Sequence, residues 1–237
     1  MNIDISKFLP QLSDLDIQKK IESSILLQML VEGNHADITF KAQGGLVKAH
    51  HCFLATVSPV FGAMFKHPMK EQLTSIVDLS SMDIEAVKLF LVLLYSTDNK
   101  SDEKQEFFMA VDEHFDDFYE ACCMYQVGNR LGLIIRNAMR RNLTPENCWY
   151  FHKKSEVGNG KLEDIYSMES LKCICEDYIL DNFEEVIDSD QIICAMKDDP
   201  EVVRDFVVLN HHNLKREMEE IRGASRKRKK VRINMDD

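Results

Sequence analysis

The chain lacks the features that announce secretion, membrane insertion or catalysis. No apolar run approaches the roughly 20 residues a membrane helix needs, and the opening MNIDISKFLP has no charged, apolar, small-residue order of a secretion signal. The seven cysteines, Cys52, Cys122, Cys123, Cys148, Cys173, Cys175 and Cys194, form no CxxC pair. Their odd number fits reduced thiols in a cytosolic or nuclear compartment, and they read as small apolar core residues. None of GxxxxGK[ST], HExxH or GxSxG occurs, and Gly128, Gly132 and Gly158 are isolated, so the signals for a phosphate loop, a zinc-protease helix and a nucleophile elbow are missing. No internal repeat occurs. These absences predict a soluble protein without a cofactor, a membrane contact or an enzymatic activity.

What is present is length, apolar content and an uneven charge. With 237 residues, 45% of them hydrophobic, the chain can bury one large core or two modest ones. The net charge of -11 divides into a tail, Arg222 to Asp237, with seven Lys or Arg against two Asp, and a body that is more acidic than the total. Such a body repels nucleic acid and the tail does not.

Periodicity places the elements. Ile17, Ile21, Ile25 and Met29 share one face at helical spacing, and Gly33-Asn34 ends that helix. Two strands, residues 36–40 and 46–49, flank KAQGG and predict a hairpin. HHCFLATVS forms a short helix closed at Ser58-Pro59, and PVFGAMF begins another. SIVDLS is a third strand. Asp83 then caps a helix with Ile84, Val87, Leu91 and Leu94 on one face. Residues 97–117 are rich in acid and weak in period, and predict a solvated insertion with one helical turn around Phe107 to Val111. Helical patterns return from Phe118, and Thr144-Pro145 opens a further helix. Mixed elements followed only by helices make an α+β unit with a helical extension.

Three clusters invite a chemical reading. His50, His51 and Cys52 are consecutive, so on a helix they point about 100° apart and cannot converge on one ion. His50 is expected to hydrogen-bond inside the fold near the Asp37 strand, with His51 facing solvent. Cys122 and Cys123 lie in an apolar helix beside an acidic stretch, where thiolate is disfavoured. Asp112, Glu113, Asp116 and Asp117 lack the loop glycine and closing Glu of a calcium site and read as a solvated face.

At this point the residues resemble a family. ADITFKAQGGLVKAHHCFLATVSPVFGAMFKHPMKEQ resembles the BTB/POZ signature: an Asp opening a strand, a hairpin, an Ala-His step, then FLATVSPVFGAMF. Asp37, His50, Leu54, Ser58, Phe61 and Phe65 fall at the family's spacing. FYEACCMYQVGNRLGLIIRNAM is similar to the two helices that finish that fold, and NLTPENCWYFHKKSE to the opening of a BACK-type helical region. The resemblance implies a short three-stranded sheet capped by a helical cluster, then an all-helical region. The chain divides on this reading into an N-terminal segment 1–20, a BTB/POZ domain 21–142 with an acidic insertion at 97–117, a BACK-like region 143–213 and a basic disordered tail 214–237. Two departures stand out: the long acidic insertion replaces a short link, and no Kelch repeat or MATH domain flanks the module.

The functional expectations follow from the resemblance. It implies a homodimer in which Ile17, Ile21, Ile25 and Met29 pack across a two-fold axis. It implies docking on a cullin-3 ubiquitin ligase scaffold through Phe65, Met69, Glu71 and Tyr125. Met69-Lys70-Glu71 matches the hydrophobic, any, Glu pattern of cullin-binding relatives, and the protein substrate is unidentified. Charge alone reads Arg226, Lys227, Arg228, Lys229 and Lys230 as a signal for a nuclear import receptor, giving a nuclear and cytoplasmic protein. The alternative is a nuclear transcription or chromatin regulator, a BTB dimer whose tail contacts nucleic acid.

Overall fold

In a computed structural model the described residues are 3–66, 70–96, 107–157, 168–198 and 200–212. The chain forms two compact units, one of Met1–Asn142 with Ser155–Leu171, the other of Leu143–Lys154 with Lys172–Asp237.

The first unit starts with a 3-10 turn, Ile5–Phe8, capped by Asp4. Ile3, Ile5, Phe8 and Leu9 are all buried. Helices α1 (Asp14–Ser23) and α2 (Ile25–Glu32) follow. The single helix expected from Ile17 to Met29 is therefore two. Ser24 is extended, and its side chain accepts a hydrogen bond from the Leu27 amide, so the serine caps α2 instead of continuing α1.

Strands β1 (Ile38–Gln43) and β2 (Gly45–Ala49) form the hairpin. Most of the KAQGG stretch expected as turn is strand, and the reversal falls on Gln43 and Gly44, between the paired Ala42 and Gly45, with Gly44 at φ +94°. Helix α3 (His51–Val57) and helix α4 (Pro59–Lys66) lie close together. A Cβ on Gly62 would stand 3.1 Å from the Ala55 carbonyl oxygen, so a larger residue there requires the α3 backbone to give by a few tenths of an ångström. Helix α5 (Lys70–Thr74) leads into β3 (Ile76–Asp83), which extends past the expected end at Ser80. The sheet order is β2-β1-β3, with β1 antiparallel to β2 and parallel to β3. Alternation buries Ile38, Phe40, Ala42, Val47, Ala49, Val77 and Leu79 on one face.

The outer edge of β3 is blunted. Thr39 donates its amide to the Ser75 carbonyl, which turns residues 75, 77 and 79 toward β1 and residues 76, 78 and 80 outward. Two outward amides are taken by side chains of the same strand region: Ile76 N–H donates to Thr74 Oγ1, and Ser80 N–H donates to Asp78 Oδ1.

Helix α6 (Ile84–Tyr95) starts at Asp83, whose carboxylate accepts from the Glu85 amide. All of Ala86 to Tyr95 is buried, so α6 is the central helix rather than a one-faced surface helix. It even buries Lys88, whose ammonium donates to Glu85 Oε1 at 2.8 Å; Lys7 reaches the same oxygen at 3.3 Å.

Helices α7 (Phe108–Glu113), α8 (Phe115–Met124) and α9 (Gly128–Asn142) close the unit. They correct the expected solvated insertion. Residues 97–106 lie outside the described residues, but Phe107, Val111, Phe115 and Phe118 recur at helical spacing and are buried. Two of the acids there are structural. Asp112 takes paired hydrogen bonds from Arg141, at 2.7 and 2.8 Å, and one from Asn142. Asp117 accepts from the Asp83 amide.

The second unit is helical. Helix α10 (Cys148–Val157) enters it, α11 (Met168–Asp181) supplies its later turns, and α12 (Phe183–Asp188), α13 (Gln191–Asp198) and a last helix over residues 200–212 complete it. Its centre is an edge-to-face group of Trp149, His152 and Phe206, with centroids 5.3–6.1 Å apart. No described helix is long and apolar enough to cross a membrane.

Candidate docking surface

The turn between α3 and α4 organises the site expected from sequence. Ser58 is buried. Its hydroxyl accepts from the Phe61 amide, capping α4, and donates to the Tyr125 carbonyl at the end of α8. One side chain thus ties α4 to the α8–α9 junction, where Gln126 takes a positive φ of 49°. Above this tie the rings stack. Phe61 lies 3.9 Å from Tyr125 and 5.8 Å from Phe65, both nearly parallel, and Phe40 meets Phe61 edge-on. Phe65 carries the stack toward the surface, where the exposed His51 meets it edge-on at 5.3 Å.

The expected docking residues are placed unequally by this arrangement. Phe65 and Tyr125 are buried, so both support a surface and do not form it. Tyr125 departs from the expectation of a contact residue: burial pushes its phenol pKa up, and the Glu71 carboxylate adds to that shift. Glu71 is half-buried on α5. Met69 lies outside the described residues. Sequence reasoning missed Leu73, which is 78% exposed on the same short helix, the most exposed large apolar side chain among the described residues. Its signal was an aliphatic residue in a five-residue helix too short to bury a face.

The histidine-cysteine stretch is structural. His50 is buried; its Nε2 lies 2.7 Å from the Asn34 carbonyl oxygen, which can only accept, so Nε2 carries the proton and Nδ1 accepts from the Tyr95 hydroxyl at 3.1 Å. Burial, with Cys52 and Asp37 nearby, raises the Tyr95 pKa. His51 is exposed, and its amide donates to Asp37 Oδ1 at 2.7 Å, so Asp37 caps α3. Among the described residues no three His, Cys, Asp or Glu are grouped to hold a metal ion. Cys122, Cys148 and Cys175 are buried, and burial pushes the thiols of Cys148 and Cys175 up to about 11 and about 12. Cys52 and Cys173 are exposed.

The expected dimer face is also divided. Ile17 is buried in its own unit, Ile21 and Met29 are half-buried, and Ile25 is 76% exposed. Leu15 is exposed on α1 beside this set. The basic cluster Arg226, Lys227, Arg228, Lys229 and Lys230 lies outside the described residues.

Comparisons with known proteins agree with this geometry. The BTB/POZ domain family model matches residues 26–129. A BTB/POZ domain-containing protein of Arabidopsis thaliana is 37% identical over 75 residues, 32% of this chain and 23% of its own length. TD and POZ domain-containing protein 4 of Mus musculus is 26% identical over 172 residues, 70% of this chain and 41% of its own. The chain thus spans less than half the length of either relative. Residues 26–129 of this chain, which hold the β2-β1-β3 sheet, the central α6 and the Ser58-tied helices, are a BTB/POZ domain, a family of protein-interaction modules.

Proposed function

We propose that the protein is a homodimeric substrate adaptor of a cullin-3 ubiquitin ligase, with the second unit acting as a BACK-like region that presents an unidentified protein substrate. The observation that carries this reading is α5. A half-buried carboxylate, Glu71, and an exposed aliphatic side chain, Leu73, stand on one short helix. Their footing is rigid, because Phe65, Phe61 and Tyr125 stack near it. An apolar anchor with a neighbouring hydrogen-bond acceptor on a rigid base is the anatomy of an interface hot spot.

The test is titration of purified cullin-3 N-terminal domain onto the wild-type chain and a Met69→Ala, Glu71→Ala double variant. Loss of such an anchor costs on the order of 2 kcal/mol, about thirtyfold in affinity, with the melting curve unchanged. Equal affinities, or no binding by wild type, turn the reading to a nuclear regulatory scaffold. For the dimer, sedimentation at micromolar concentration is expected to give twice the chain mass, and Ile25→Asp to give the monomer. A nuclear and cytoplasmic distribution through Arg226 to Lys230 belongs to the same proposal. A fluorescent fusion lacking residues 222–237 that distributes like the full chain refutes it.

A further inference from the structure

The sheet has two edges, and they are finished differently. Parity fixes which groups of β2 face outward. Thr39 donates its amide to Ser75 on the β3 side, so the even-numbered residues of β1 bond to β2. Ile38 stands opposite Ala49, Phe40 opposite Val47 and Ala42 opposite Gly45, so the odd-numbered residues of β2 face inward. The Ala49 carbonyl, which accepts from the Asp37 amide, agrees with this. Leu46, Lys48 and His50 therefore turn their amides away from the sheet. The His50 amide donates to the Tyr95 hydroxyl at 3.0 Å. The outward N–H and C=O groups of Leu46 and Lys48 have no partner among the described residues, and both residues are exposed, Leu46 at 52%. On β3 the Thr74 and Asp78 side chains occupy the matching amides; on β2 they stand open.

The side chains beside this edge give it a character. Lys48, Leu46 and Lys41 lie on the outer face of the sheet, with Lys41 opposite Leu46, and all three are exposed. Neither lysine forms an ion pair among the described residues. A lysine on an edge strand discourages unselected pairing. It leaves the edge open to a strand that brings the opposite charge.

We propose that the outer edge of β2 receives an extended segment of another protein, which adds a strand beside Leu46 and Lys48 and carries an acid toward Lys48 and an aliphatic side chain toward Leu46. Main-chain hydrogen bonds supply the affinity of strand addition, and alternate side chains supply the choice of partner. Opposite charges and apolar pairs that face each other across strands are favourable. Charge complementarity selects the occupant. Gly45–Ala49 carries no acid, so a second copy pairing through the same strand offers Lys48 only another lysine. The edge uses no residue of α1, α2, α4 or α5 and stands apart from the dimer and cullin readings.

The experiment uses the full chain and a labelled synthetic peptide of sequence Thr-Glu-Thr-Leu-Thr-Glu-Thr-Leu, followed by fluorescence anisotropy and by amide hydrogen exchange at Leu46 and Lys48. Both amides are expected to exchange quickly in the chain alone and to be protected by the peptide. A version with glutamine for glutamate should bind about fivefold more weakly. Of two versions N-methylated on alternate residues, one should lose binding and the other retain it, because only every second amide of an added strand faces β2. Leu46→Pro removes an outward N–H and no ladder bond, so it should abolish binding with the melting curve close to wild type. K48E should weaken the glutamate peptide and favour a lysine version, which keeps the test in force if the proline variant fails to fold. Failure of the peptide to bind, protection of both amides in the free chain, or indifference to N-methylation or to K48E overturns the proposal. So does a self-association beyond the dimer that Leu46→Pro removes, which gives the edge to a second copy.

Discussion

Helix α6 and the last helix, residues 200–212, both carry a continuous apolar run, and the protein uses them in opposite ways. Every residue from Ala86 to Tyr95 is buried, whereas residues 200–212 bury Val203 and Phe206 and leave Val207, Val208 and Leu209 exposed. In α6 the backbone and side chains are fixed from all sides by the sheet and by helices α2, α8 and α9. In the last helix one stripe is anchored against Trp149 and His152 and the rest meets solvent. Apolar content therefore does not locate a core; the number of elements that can surround a helix does. The BTB/POZ domain surrounds its central helix, and the second unit does not surround its last one.

The largest effect is expected where the surround is complete. Phe61→Ala removes a ring in contact with Tyr125, Phe65 and Phe40 and should cost about 3–5 kcal/mol in urea unfolding of the domain. The comparison breaks if this substitution is mild. Ser58→Ala strands the Tyr125 carbonyl and the Phe61 amide together, at about 2 kcal/mol. Ser58→Thr keeps the hydroxyl and should recover part of that loss.

The charged end of α6 gives a smaller, pH-dependent effect. Burial raises the Glu85 carboxyl, but hydrogen bonds from Lys88 and Lys7 outweigh it and hold the group below its ordinary value of 4.5. A lowered folded pKa gives stability that is present above the unfolded value and lost as pH falls through the folded one. Glu85→Gln should therefore lower stability by about 1–2 kcal/mol near neutral pH. The gap between wild type and variant should shrink below pH 4.5, as read from melting curves at both ends. Thiol labelling at mild alkaline pH sharpens the comparison without mutation. Cys52 and Cys173 should react quickly, and Cys122, Cys148 and Cys175 only as the chain unfolds. Smallest is Val208→Ser on the last helix, which should change stability by under about 0.5 kcal/mol.

Local signals with one physical cause were legible in the sequence. Asp83 caps α6, Pro59 starts α4, and the alternation of β1 sets its buried face, all by chemistry confined to a few neighbours. Residues whose role depends on distant partners were not. Ser24 could sit in a helix or cap one, and the sequence does not weigh the two. The acids of residues 107–117 concealed the spacing of Phe107, Val111, Phe115 and Phe118, because a helix of this unit buries one face while its other face carries the charge. Tyr125 looked like a surface residue until Phe61 and Ser58, more than sixty residues away, covered its ring and claimed its carbonyl. The candidate docking surface was legible only in part: Glu71 is half-buried on α5, and Leu73 stands out only once α5 is seen to be a five-residue helix.

The capped edge of β3 has a consequence for the life of the chain in a crowded cell. A strand that ends a sheet is a template, and each open amide on it can recruit a neighbouring molecule into a growing fibril. Here Thr74 and Asp78 occupy the amides of Ile76 and Ser80 before a stranger can. The outer edge of β3 is thus a poor template for a further strand. Exchanging Asp78 for an aliphatic residue would reopen that route, and the protein would be expected to lose solubility long before it lost its fold.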